Sequence, residues 1–322
     1  INGQLVGELK GLKFLIEVTS KTLDTDIKSI KKAARKGVEE ELVKRVDEIL
    51  NKQEIEINNE NKIIWKHNPI ARLKKGNDYL NPEIEVITDD SLNEDSKTKL
   101  LSFLNKWITD YINEVLGDLV KLTKHKITNQ YLRGLVFQLY ENNGVIKRND
   151  VEKIVKLIPA DQRKKLWGMG IKIGRYHVFL PKMLKPKAVT FRVALWKLFF
   201  NNKINNEIPK SGLNFLYSKS LDRDFLLLCG FEKFRDYYVR IDILEKLFIK
   251  IIENTKNKKF KINSDMINLL GCNKESFYSL LTLMNYKKDK DQDTYVFRGE
   301  RKKKEKIIRF DKKENPFNKL LS

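Results

Sequence analysis

Residues 264–298 read SDMINLLGCNKESFYSLLTLMNYKKDKDQDTYVFR, and the order of elements in this stretch decides the fold. Met266–Leu270 is a first short helix, Gly271 sits in a turn, and Glu275–Leu283 is a second helix. YKKDKDQDTYVFRG then runs strand, polar tip at Asp289–Asp293, strand. A helix-turn-helix followed by a hairpin is the core of a winged helix, with the hairpin as its wing.

The pattern recurs. Three times a short helix ends, a glycine or polar turn follows, and a strand carrying Tyr and Val appears: Leu166–Val178, Leu228–Val239 and Leu283–Val296. Helices are expected at Gln130–Glu141, Asp150–Leu157, Asp161–Trp167, Val189–Phe200, Asp222–Leu228 and Ile243–Ile252, with a loop over NNKINNEIPKSG.

Upstream the character changes. Ile1–Val18 reads as strand with turning glycines. A helix is expected from Asp24, a good N-cap, to Leu50, and residues 54–87 alternate as β structure punctuated by Pro69, Gly76 and Pro82. The acidic TDDSLNED marks a boundary near Thr88, and Lys99–Leu122 carries Leu100, Leu104, Ile108 and Ile112 on one helical face. The expected class is α+β, mainly α-helical. A small N-terminal β-containing unit (1–88) precedes helical domains with winged-helix-like ends (89–188 and 189–299), and a basic tail follows (300–322).

Hydrophobic residues make up 41% of the 322, enough for several packed cores. The net charge of +21 favours a polyanionic partner, because each phosphate contact releases condensed counterions. Cys229 and Cys272 stand alone, which fits a reducing, cytoplasmic setting, and no apolar run suits a membrane. Ile1 is not an initiator, and the chain reads as a piece of a longer protein.

Catalytic signatures are missing. There is no GxxxxGK[ST] loop for nucleoside triphosphates, and Lys210-Ser211-Gly212 has the wrong order. His67, His125 and His177 have no ligand-spaced partners, so no metal site and no catalytic residue is expected.

Binding is better represented. Across Gly170–Lys197, Lys172, Arg175, Lys182, Lys185, Lys187 and Arg192 interleave with Tyr176, Phe179, Phe191 and Trp196. Cations along extended chain suit a phosphate track, and aromatics stack on bases. Pro181 and Pro186 bracket Lys182–Lys185, so these ammonium groups are expected to face a phosphate chain. A competing account makes the segment a strap, with Phe179, Leu180, Met183 and Leu184 packed inward. Further sets are Lys66, Arg72, Lys74 and Lys75, and on the last wing Lys287, Lys288 and Arg298, continued by Arg301–Lys304.

GIKIGR, FLPKMLKP and ALW in this segment, with GELKGLKF, IIWKHNPIARLKKG, RGLVFQLYENNGVIKR, DQRKKLW and PFNKLL elsewhere, carry a resemblance. The chain resembles the C-terminal region of bacterial, especially alphaproteobacterial, superfamily-two DExH helicases related to the mitochondrial degradosome RNA helicase. The resemblance implies an ATPase core upstream of Ile1, using ATP and Mg, and a strand-guiding role here with no cofactor of its own. Implied partners are single-stranded or partly duplex nucleic acid, RNA favoured, and the motor core itself. The alternative is a scaffold recruiting a nuclease or ribosomal partner.

Overall fold

Residues 7–16, 24–52, 54–88, 92–200, 207–219, 222–289 and 294–299 are described by a computed structural model. The tip of the last wing from Lys290 to Asp293 and the whole basic tail lie outside them, as do the ends of the expected opening strand.

The N-terminal part opens with a hairpin, β1 (Gly7–Lys10) and β2 (Lys13–Ile16), turned at Gly11. Helix α1 (Asp24–Lys52) follows, and its Arg45 guanidinium donates to the carbonyls of Leu9 and Gly11, each at 3.0 Å, holding the hairpin to the helix. The alternating 54–87 stretch forms an antiparallel meander of β3 (Ile55–Ile57), β4 (Lys62–Trp65), β5 (Asn68–Asp78) and β6 (Asn81–Val86). Helix α2 (Glu94–Lys124) starts five residues before the sequence-based expectation, because the Asn93 side chain caps it by accepting from the Ser96 amide at 2.8 Å. Its buried face runs Leu100, Leu104, Ile108, Ile112, Leu116 and Leu119. Among the described residues no helix is long and apolar enough to cross a membrane.

Three related helix-and-hairpin units follow. The first contains α3 (Gln130–Glu141), β7 (Val145–Lys147), α4 (Arg148–Leu157), α5 (Ala160–Gly168), β8 (Lys172–Ile173) and β9 (His177–Phe179). The second contains α6 (Pro186–Phe200), β10 (Phe215–Tyr217), α7 (Arg223–Leu228), β11 (Phe231–Phe234) and β12 (Tyr237–Arg240). The third contains α8 (Ile241–Glu253), β13 (Thr255–Lys256), β14 (Lys259–Lys261), α9 (Ser264–Leu270), α10 (Lys274–Leu283), β15 (Tyr286–Lys288) and β16 (Thr294–Phe297). The sheets are ordered β7-β9-β8, β10-β12-β11 and β13-β14-β16-β15. In the first two the strand after the first helix pairs with the last strand of the hairpin; in the third β14 does so and β13 adds an outer strand. The first and third have winged-helix order, and the second has a single helix, α7, between β10 and its hairpin.

That order explains the recurring Tyr and Val. β9, β12 and β16 lie between two neighbours in their sheets, so their backbone edges are paired and one face of each packs on the core. Val178 and Val239 are fully buried and Tyr295 nearly so. In the third unit Gly271 closes α9 in the left-handed conformation at φ +69, where a side chain would be strained.

The cores are not equally shared. One large cluster joins Leu12, α2 and the meander to most of the first winged helix and reaches Leu195 in α6. The third unit has its own cluster around Leu244, Phe277 and Leu281. The second unit centres on Phe225 and Tyr238.

Candidate nucleic-acid interface

In a winged helix the third helix and the wing are the surfaces that meet nucleic acid. In the first unit the third helix is α5, ADQRKKLWG. Leu166 is its buried anchor, and Lys164, Lys165 and Trp167 point outward. Trp167 is 80% exposed, a value that marks a surface ring and not a core ring. Arg163 is turned back, donating to the Ile158 carbonyl at 3.2 Å. Among the described residues no ion pair engages Lys164 or Lys165, so both charges face solvent. Sequence reasoning used DQRKKLW only as a point of similarity. The signal that would have found it is its place, one turn ahead of the first of the three wings.

The hairpin of this unit is held from two sides. The wing turn Gly174-Arg175-Tyr176-His177 points successive amides at the Glu245 carboxylate of α8: Arg175 at 2.6 Å, Tyr176 at 2.8 Å and His177 at 3.0 Å. A Cβ on Gly174 would lie within 2.4 Å of that carboxylate, so only glycine allows the approach. On the other side, the His177 Nε2 sits 2.7 Å from Glu232 of β11, and the Lys147 ammonium pairs with the same carboxylate. Burial pushes the Glu232 carboxyl up, but the His177 and Lys147 bonds outweigh it and hold the group below its ordinary value. The hairpin of the first unit is therefore clamped between the second and third units, while the Lys172 and Arg175 side chains stay exposed.

The sequence-derived cations separate into groups. Lys172 lies exposed on β8, its ammonium 5.9 Å from the Phe179 ring centre. Arg175 is exposed beside Phe248 of α8. Lys185 is exposed and makes no ion pair among the described residues. Lys182 and Lys187 reach back to α2 instead, pairing with Asp118 at 3.1 Å and Glu114 at 2.7 Å. Lys287, Lys288 and Arg298 are exposed on the third hairpin. Of the earlier basic set, Lys66 pairs with Glu48, and Arg72 and Lys74 share Glu85, whose carboxyl those bonds lower to about 2.

Arg192 requires a correction. It was expected on the phosphate track, yet it is fully buried. Its guanidinium donates to the carbonyls of Asn143, Met183 and Leu228, the last two at 2.8 Å. Three helix and turn ends thus find their missing donor in one fork, and the charge cannot reach a ligand. The proline-bracketed segment is corrected as well. Pro181–Leu184 is a single 3-10 turn and Pro186 begins α6, since a first-turn proline gives up an amide that has no helical partner. Phe179, Leu180 and Met183 are fully buried, so apolar residues face inward and the cations outward.

Among the described residues no three His, Cys, Asp or Glu side chains gather as a metal set. Cys229 is buried, and burial pushes its thiol up to about 12, away from nucleophilic use.

No protein-family model, curated protein or solved structure matches this chain. Its own charge and geometry therefore have to carry the functional reading.

Proposed function

We propose that the chain is a strand-binding accessory region, laying single-stranded or partly duplex nucleic acid, RNA for preference, across its first winged helix. The observation that carries this reading is α5, a third helix with two solvent-facing lysines beside a Trp ring that is 80% exposed. Lysine and an exposed aromatic supply the two contacts an unpaired strand offers, phosphate and base face. Lys172 and Lys185 extend the positive surface within the same part of the chain. On the resemblance described above, the region works beside the ATP- and Mg-dependent motor of a helicase.

A salt-titrated binding assay with single-stranded RNA and DNA tests the reading. With roughly four phosphate contacts at about 0.7 each, the log–log slope is expected near −3. A flat salt dependence, or no binding, rejects it in favour of a protein-docking scaffold.

A further inference from the structure

A cavity of about 480 Å³ lies between the first and third winged helices. Helix α8 lines it with Phe248, Ile251 and Ile252, and the third sheet with Phe260, Tyr286 and Phe297. The wing turn of the first unit adds Arg175 and Tyr176, and the β13–β14 turn adds Lys258. Among the described residues no carboxylate lines it. The lining is thus aromatic and aliphatic with two cations, which selects a flat apolar body carrying negative charge.

The rings are arranged to receive such a body. Phe260 and Tyr286 meet at 84° with centres 5.3 Å apart, and Tyr176 and Phe248 at 81° and 5.8 Å. Phe260 and Tyr286 are themselves buried and form the floor, so a guest would meet them only at the ring edge. Phe297 is 41% exposed and Ile252 55%, so water covers this apolar wall.

Lys258 supplies an independent sign. The β13–β14 turn consists of Asn257 at φ +50 and Lys258 at φ +65, both left-handed. Such two-residue turns favour Asn-Gly, and a lysine in the second place carries backbone strain. The chain keeps a cation at the cavity where glycine would be the relaxed choice.

We propose that this cavity binds one unpaired nucleotide of the bound strand, its base against the exposed wall of Phe297 and Ile252 and its phosphate against Arg175 and Lys258. The proposal rests on the strand-binding reading and adds a base-capturing site about which the first and third units meet. It binds without sequence readout, because every base presents a π face.

The full chain is titrated with a single-stranded RNA of about a dozen nucleotides, intact or with one abasic residue moved along it. For Phe297→Ala the expected result is about ten-fold weaker binding at an unchanged salt slope, the size of one lost stacking contact. The parent should lose a similar factor when the abasic residue reaches one register, and Phe297→Ala should lose nothing more there. Lys258→Ala, on an exposed turn, should weaken binding and reduce the slope by about 0.7. Circular dichroism checks that each variant keeps its fold. The cavity proposal is overturned if both variants bind like the parent and the abasic scan is flat, while Lys164→Ala with Lys165→Ala still weakens binding. In that case the strand-binding reading stands without it. If the parent binds no strand, both are overturned. If an acidic apolar peptide occupies the cavity and the strand fails to displace it, the nucleotide assignment is wrong.

Discussion

The first and third winged helices share a topology and differ in almost everything that topology leaves open. In the first, the third helix α5 is basic and ends in an exposed Trp167, while its wing turn is fixed by Glu245 and Glu232. In the third, α10 reads KESFYSLLTL, with one lysine and one glutamate, and the lysines sit on the hairpin at Lys287 and Lys288. The core differs too. Most of the first unit's buried side chains belong to a cluster that also holds α2 and the N-terminal meander, whereas the third unit builds a different cluster, which takes in Val239 of the second. The unit rooted in the common core presents its charge on a helix. The unit with a separate core presents it on a wing. A shared order of helices and strands therefore does not fix which surface meets a ligand. That depends on which surface the neighbours leave uncovered.

The largest expected effect tests whether the cores are separable. Phe277 is fully buried in the third unit, and Phe277→Ala should cost about 3–5 kcal/mol. Calorimetry should then show an early transition for the third unit ahead of an unmoved main transition. One peak shifting as a whole would mean that the two cores unfold together.

A smaller effect tests the clamp on the first wing. Glu232→Gln removes the charge that faces His177 and Lys147 and should cost about 2 kcal/mol at neutral pH. The Glu232 carboxyl is held below its ordinary 4.5, so its contribution is complete above that value and is lost as pH falls through the lower folded value. The parent should therefore lose stability below about pH 4.5 more steeply than Glu232→Gln. Parallel acid-unfolding curves would show that the carboxylate is not what holds the wing.

The smallest effect on folding tests the charge contrast. Lys164→Ala with Lys165→Ala should change stability by less than about 0.5 kcal/mol per site, since exposed lysines contribute little. It should lower the magnitude of the salt slope by roughly 1.4, two phosphate contacts at about 0.7 each. Lys287→Ala with Lys288→Ala should lower it by no more than that. A change confined to the wing pair would exchange the roles assigned to the two units.

The order of elements was legible in the residues because local chemistry sets it. Asn129, Asp222, Asn263 and Asn273 each cap a helix with a side chain that accepts from an amide two or three residues on. Gly271 ends α9, and the repeated Tyr and Val mark the middle strand of each wing sheet. The fate of the charges was not legible, because a charge answers to residues far away in the chain. Arg192 reads as one more cation between Phe191 and Trp196 until Asn143, Met183 and Leu228 close around it. Lys182 and Lys187 look free until α2 brings Asp118 and Glu114 within reach. Glu245 lies some seventy residues from the turn it holds, and no spacing rule connects them. Periodicity and capping act within a turn or two of helix, so the sequence alone determined the three helix-and-hairpin repeats. Burial and ion pairing are properties of the packed interior, so only the tertiary structure decided which lysines and arginines remain on the surface.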